Sequence, residues 1–363
     1  MTDEQYLLKA IELAKRGQGH TRPNPSVGAV IVKGGKIVGV GWHKRAGGDH
    51  AEVAAIKDVL RHSGTSALRH STLYVTLEPC SKPGRVGACT DAIIAAGIKR
   101  VVYGSVDPNP KNRGLAKRVL AKAGVKCEQI SSAKMVRQCD WHIRAFRKHV
   151  TTGIPYVTVK IALSLDGRIC DDRGNARWIS SSAARKETGE MREWVDAIMV
   201  GAETVRKDNP SLLSHGKRND DLIRVVVTRS GKLPKSAQIF TDGAPNKTRV
   251  FRVGDVIRDK RNGLGPNDPI DARDLKGVLR ELGKMGVMHV LCEGGLKLAT
   301  SLADEGLVDE WITVLAPCVI GRKSIRNKTE FEPLRLCASV LKNSNDYILP
   351  YRCLPESSRR SAR

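Results

Sequence analysis

The feature that most constrains this chain is the alternation of short, period-two apolar runs with longer stretches whose apolar residues recur at helical spacing. Residues 27–32 (VGAVIV) read as a strand and 34–42 (GGKIVGVGW) as its hairpin partner. Residues 4–16 read as a helix, with Leu7, Leu8, Ile11, Leu13 and Ala14 on one face. A helix follows His50. A strand over 71–80 (STLYVTLEPC) ends in a Pro79–Cys80 turn, and a helix over 90–97 (TDAIIAAG) closes at Gly97. Another strand covers 98–106, and a helix covers about 115–123. Such alternation predicts an α/β fold in which helices layer on a sheet.

Gly153 and Pro155 interrupt the pattern within HVTTGIPY at 149–156, and a fresh strand begins at YVTVKIALSLDG. A helix over about 182–196 follows, then strands at AIMVG, IRVVVT and VMHVLCEGG, and a helix from about Leu296. This predicts two α/β domains, 1–150 and 151–355, with 356–363 (ESSRRSAR) as a disordered basic tail. At 363 residues the length also suggests two domains.

Net charge is +24, with 26 basic against 11 acidic residues in 1–150. That surplus favours anionic partners without choosing among phosphorylated metabolites, dinucleotides and nucleic acid. Aromatics are 4%, too few to advertise a base-stacking surface. The start of the chain is charged and amphipathic, with no apolar signal core, and no apolar run is long enough to span a bilayer. The nine cysteines are odd in number and irregularly spaced. A cytoplasmic, reduced enzyme is expected, in which cysteines serve as metal ligands or buried thiols.

The residues with chemistry begin at HAEVAAI, residues 50–56, where an imidazole and a carboxylate stand two apart at a helix start. On its own this more commonly reads as a solvated helix terminus with a favourable acid. The second half of the constellation is TLEPCSKPGRVGAC, residues 76–89. A catalytic zinc takes three protein ligands and leaves one position for water, whose pKa it lowers to about 7. His50, Cys80 and Cys89 supply that count, and Glu52 stands beside them as a proton carrier. The order His-x-Glu, Pro-Cys, Cys is that of the zinc nucleobase deaminases, in which the Glu is not a ligand. There the cysteines are two residues apart; here the gap is eight.

From TRPNPSVGAVIV through HAEVAAI and VTLEPCSKPGRVGACTDAIIAAGIKRVVYGSVDPNP, the chain resembles the deaminase half of the bifunctional riboflavin-biosynthesis enzymes, whose cysteine gap is also eight. GIPYVTVKIALSLDGRI, RWISS, DAIMVG and CEGGLKLATSLADEGLVDE resemble their reductase half, so the likeness covers about residues 1–325. It implies a cytidine-deaminase-like α/β/α domain followed by a dihydrofolate-reductase-like α/β domain, with Zn2+ and NADPH as cofactors. The substrate it implies is 2,5-diamino-6-(ribosylamino)pyrimidin-4-one 5′-phosphate, deaminated first and then reduced from ribosyl to ribityl. It also implies a homo-oligomer with neither a membrane nor a nucleic-acid partner. Asn24 falls where the family touches the pyrimidine, and DPNP at 107–110 resembles its loop near the substrate. Ala162, Trp178, Thr204, Asp208 and the segment from Gly295 fall at NADPH positions, and Arg192, Leu212 and Glu293 at substrate positions. Lys160 is placed near the substrate. No Gly-x-Gly-x-x-Gly follows a strand in the second half, so a classical dinucleotide fold is not supported.

The second half departs from the family at Ala176, Asn209 and His215, which replace a serine, an aspartate and an arginine, and in VVTRSG, which lacks an Asp-Ser pair. The runner-up reading is therefore a deaminase whose reductase-like half serves as a scaffold or oligomerisation module. An RNA base deaminase predicts a two-residue cysteine gap and no second half. A structural zinc site would close with four protein ligands.

Overall fold

The computed structural model describes residues 1–82, 87–171, 179–214, 222–254, 269–316, 318, 320, 341–343 and 346–352. The chain divides into two units, Met1–Gly153 and Ile154–Arg363.

The first unit runs α1 (Asp3–Lys15), β1 (Gly28–Lys33), β2 (Lys36–Trp42), α2 (Ala51–His62), β3 (Thr72–Leu77), α3 (Cys89–Ala95), β4 (Arg100–Ser105), α4 (Leu115–Lys122), β5 (Lys126–Gln129), α5 (Ala133–His142) and α6 (Arg144–Thr152). Its sheet has the order β2-β1-β3-β4-β5. β1 is antiparallel to both neighbours, whereas β3, β4 and β5 run parallel. Successive side chains of a strand point to opposite faces, and two cores follow. Ala29, Ile31, Leu73, Val75 and Val101 pack with α2, α3 and α4, while Val30, Val32, Tyr74 and Val102 pack with α1 and α5. This is an α/β/α sandwich. Helix α1 opens on a capping box between Thr2 and Gln5.

Close contact between helix and sheet depends on missing side chains. A Cβ at Gly28 would lie 2.0 Å from the Ala10 carbonyl of α1. At Gly41 it would lie 2.4 Å from Ala51 O and 2.3 Å from Ala55 N, so α2 rests directly on the β2 backbone. We expect Gly41→Ala to destabilise this unit by about 1–3 kcal/mol through overpacking. A thermal melt of that variant should show an unfolding midpoint several degrees below wild type; an unchanged midpoint would contradict the contact.

The second unit runs β6 (Tyr156–Ser164), α7 (Ser182–Glu190), β7 (Ala197–Gly201), α8 (Ala202–Asp208), β8 (Ile223–Thr228), α9 (Gln238–Thr241), β9 (Thr248–Val253), β10 (Ile270–Ala272), α10 (Leu275–Lys284), β11 (His289–Cys292), α11 (Leu296–Asp304), β12 (Glu310–Ala316), β13 (Leu341–Asn343) and β14 (Asp346–Arg352). The sheet order is β10-β9-β8-β7-β11-β6-β12-β14-β13, parallel from β10 to β12 and antiparallel over the last two pairings. Ala197 and Met199 of β7 face a core with α10 and α11, and Ile198 and Val200 face one with α8 and α9.

Two expectations shift. The helix predicted over 182–196 ends at Glu190 and tightens into a 3-10 turn, Met191–Glu193, because Gly189 weakens its last turn. Helix α6 carries through His149 and stops at Gly153, which caps it at φ 75°. Among the described residues no helix is long and apolar enough to cross a membrane.

Candidate active sites

The first site forms where two helix starts meet a strand end. His50 is the N-cap residue of α2, with extended backbone and no side-chain cap bond. Its imidazole therefore points away from the helix, and Nδ1 lies 3.2 Å from Cys89 Sγ and 3.5 Å from Cys80 Sγ. Cys89 is the first residue of α3, and Cys80 follows β3 through Glu78 and Pro79. The ligand atoms of His50, Cys80 and Cys89 all lie within 4.8 Å of one another. Cys80 is the more acidic thiol. Hydrogen bonds from Cys89 and His50 draw its pKa well below the usual thiol value, and the Cys89 backbone N–H donates to Cys80 Sγ at 3.3 Å. One imidazole and two soft sulfurs form a donor set that fits Zn2+ with one coordination position left open.

Glu52, in the first turn of α2, is 4% exposed, and burial lifts its carboxyl from the ordinary 4.5 to about 7. The buried His43 packs edge-on against His50 with ring centroids 5.3 Å apart. His43 Nδ1 lies 2.9 Å from the Asp49 carbonyl, which can only accept, so Nδ1 carries the proton. Burial holds the ring pKa below 6.5, and the neutral ring leaves Nε2 to accept from the Asn24 amide at 3.1 Å. That bond turns the Asn24 carbonyl oxygen away from His43 as a free acceptor.

In the second unit a cavity of about 620 Å³ is lined by Lys160, Arg185, Lys186, Arg192 and Glu293, among others. Arg192 sits in the 3-10 turn after α7 and donates to both oxygens of Glu293, at 3.1 and 2.7 Å. It also donates to the Leu213 carbonyl at 3.2 Å. Lys160, on β6, has its pKa lowered from 10.5 by burial, with Glu293 pulling the other way. Gly295 caps α11 without a side-chain partner and with open space where a Cβ would stand. The first N–H groups of that helix are thus accessible to an anion.

Residues 1–105 match the cytidine and deoxycytidylate deaminase zinc-binding region, and residues 155–349 match the RibD C-terminal domain. The riboflavin biosynthesis protein RibD of Aquifex aeolicus is 36% identical over 321 residues, which are 88% of each chain. That of Escherichia coli is 37% identical over 88% of this chain and 89% of its own. The chain belongs to the RibD family. Solved structures agree. RibD of Acinetobacter baumannii superposes with a TM-score of 0.83 at 33% identity, covering 96% of this chain and 98% of its own. The diaminohydroxyphosphoribosylaminopyrimidine deaminase/5-amino-6-(5-phosphoribosylamino)uracil reductase of Thermotoga maritima gives 0.84 at 32% identity and the same coverage. This RibD chain is thus a bifunctional deaminase–reductase of riboflavin biosynthesis, with a zinc-binding deaminase domain followed by a reductase domain.

Within this RibD fold, His50, Cys80, Cys89 and Glu52 converge, with Asn24 one imidazole away. Lys160, Arg192 and Glu293 converge in the second cavity. Leu212 is buried at φ 55°, with its side chain in the core beside Val195 and Val205. Ala162 packs partly buried against Ala184 and Val314. Thr204 and Asp208 lie on α8, half-buried and exposed respectively. They are not among the residues lining the cavity. Asn209 is likewise not among the residues lining the cavity; it caps α8 at φ 42° and its side-chain oxygen accepts from Gln238 N at 2.7 Å, a role that the aspartate it replaces would fill equally. Trp178, Ala176, His215 and the tail 356–363 lie outside the described residues.

Sequence reasoning missed His43, Glu78 and Asn112. The Gly-Trp-His run after a strand gave a weak signal for His43, and nothing local marked the other two. The seven cysteines among the described residues are free thiols. We expect Cys80→Ser to lose most of its zinc, since two strong ligands remain. Elemental analysis showing one zinc per Cys80→Ser chain would remove Cys80 from the ligand set.

Proposed function

We propose that the first domain deaminates 2,5-diamino-6-(ribosylamino)pyrimidin-4-one 5′-phosphate at a zinc held by His50, Cys80 and Cys89, with Glu52 carrying the protons. The second domain then reduces the ribosyl chain to ribityl with NADPH. The observation that carries this reading is the convergence of three nitrogen and sulfur donors beside a buried carboxyl that stands outside that donor set.

Bound there, zinc supplies the Lewis acidity that makes water a nucleophile near neutral pH. Glu52 takes a proton from the attacking water and hands it to the departing amino nitrogen. Water and the ring C–NH2 become a ring carbonyl and ammonia. The Asn24 carbonyl, aligned through His43, accepts a ring N–H and sets the pyrimidine. In the second domain NADPH supplies hydride, and the N–H groups of the first turn of α11 at Gly295 suit its phosphates. Arg192 brings a fixed positive charge to the substrate phosphate, with Glu293 holding the guanidinium in place and Lys160 beside it as a further donor. Ala162, Trp178, Thr204 and Asp208 are assigned to the cofactor, and Leu212 to the substrate through its loop.

The ion-paired Arg192–Glu293 beside Lys160 favours an active reductase over a scaffold. Free thiols and a phosphorylated substrate suit the cytoplasm, and we assign a homo-oligomeric assembly without nucleic-acid or membrane partners. Incubating the purified chain with the diaminopyrimidine phosphate should release ammonia and raise the product mass by about 1 Da. Adding NADPH should raise it by a further 2 Da, the two hydrogens of the reduction. Deamination without the second change would return the reductase half to the scaffold reading.

A further inference from the structure

Glu78 is 2% exposed, a carboxylate buried one residue before the Pro79–Cys80 turn. Its own N–H donates to Ser105 O at 2.8 Å, extending the β3–β4 pairing to the carboxyl ends of both strands. Its side chain accepts three main-chain N–H groups: Asp107 at 3.2 Å, Gly114 at 3.1 Å and Ala116 at 3.2 Å. The first stands at the start of the loop between β4 and α4, Gly114 at its end, and Ala116 in the first turn of α4. One carboxylate therefore clips both feet of that loop. It also replaces the cap that Gly114 cannot give α4, since Gly114 brings no side chain. Between the feet, the Asn112 amide donates to Asp107 at 2.7 Å and accepts from Ser81 N at 2.8 Å. Ser81 is the residue after the ligand Cys80. A buried carboxylate is costly unless its hydrogen bonds matter to something. Here they join the loop to the strand end that presents a metal ligand.

We infer that Glu78 and Asn112 are positioning residues for deamination, bracing the 107–114 loop against the Cys80 strand end so that the loop forms a fixed wall of the substrate site. This rests on the deaminase reading of the first domain. One oxygen of Glu78 accepts from both Asp107 and Gly114 and the other from Ala116, so an amide in its place would set an N–H donor against either the Ala116 N–H or both of the other two, and so weaken the clip.

The test uses the full-length, zinc-loaded chain as wild type, Glu78→Gln and Asn112→Ala. Zinc content, ammonia release across substrate concentration, and reduction of the deaminated intermediate are measured on each. We expect about one zinc per chain and unchanged reduction. For deamination KM should rise, with kcat/KM about 10- to 100-fold lower for Glu78→Gln and a smaller loss for Asn112→Ala. A merely structural role would lower the active fraction and leave KM alone. Wild-type KM in either zinc-replete variant overturns the inference, as does a fall in kcat that tracks zinc loss at constant KM. Should Glu78→Gln fail to fold, Asn112→Ala decides: a raised KM supports the brace and a normal one overturns it. Ammonia release by the wild-type chain separates failure of the brace from failure of the deaminase reading.

Discussion

Glu52→Gln protein should keep its zinc and lose deamination by at least about 10²–10⁴-fold, the usual worth of general acid–base catalysis. The three metal donors come from His50, Cys80 and Cys89, so an amide at position 52 removes none of them. It does remove the group that both takes and gives a proton, and Glu52 is buried too deeply for bulk water to stand in. Gln is nearly the same size, so the packing around the first turn of α2 is retained. Reduction of the deaminated intermediate by the same chain should be unaffected. The decisive measurement pairs zinc content with ammonia release. A zinc-replete Glu52→Gln chain that deaminates at a near-normal rate would show that the proton carrier lies elsewhere.

Arg224→Ala should be the most damaging change to stability, costing about 3–5 kcal/mol as a broken buried ion pair. Arg224 is fully buried in β8. It donates to both oxygens of Asp242 and to the carbonyls of Ser211, Ile239 and Ala244. Removing it strands a carboxylate whose side chain is 10% exposed, together with three carbonyls. Urea denaturation followed through reductase activity would measure the loss. Asp242 adds a pH signature. Burial works against its charge, but the Arg224 hydrogen bonds outweigh that, and its pKa lies below 3.8. A carboxylate depressed in the folded state contributes stability above its unfolded pKa and loses it as pH falls through the folded value. The gap between wild type and Arg224→Ala should therefore narrow in acid below pH 3.8. An equal midpoint at neutral pH would refute the account.

What could be read in advance followed from locality. The zinc donors sit at the ends of elements set by short apolar patterns, so placing the strand ending at Leu77 and the two helix starts also placed the donors. Arg224 could not be read this way. Within IRVVVT it looks like the outward residue of an edge strand, and its partners come from Ser211 and from residues 239–244, around separate turns. Glu78 was equally opaque, because an acid before Pro-Cys reads as a solvated strand end while its partners lie 29–38 residues later. β5 (KCEQ) is too short and polar to declare itself. Helix α7 was overextended because the apolar pattern runs on past Gly189, whose cost to the helix the pattern does not register.

The bare backbone of β2 at Gly39 and Gly41 has a further consequence. Where helices usually stand off a sheet by the thickness of two side-chain layers, the α2 main chain here approaches the β2 backbone directly at Gly41, and at Gly39 through Ala55 O and the Val59 side chain. Main-chain spacing does not change when neighbouring side chains are swapped over evolutionary time. His50 and Glu52, mounted on the first turn of that helix, share one rigid mount whose height is fixed by peptide geometry. The surrounding core can then drift in sequence without moving the proton carrier relative to the metal ligand, whereas Gly39 and Gly41 themselves leave no room for a larger residue.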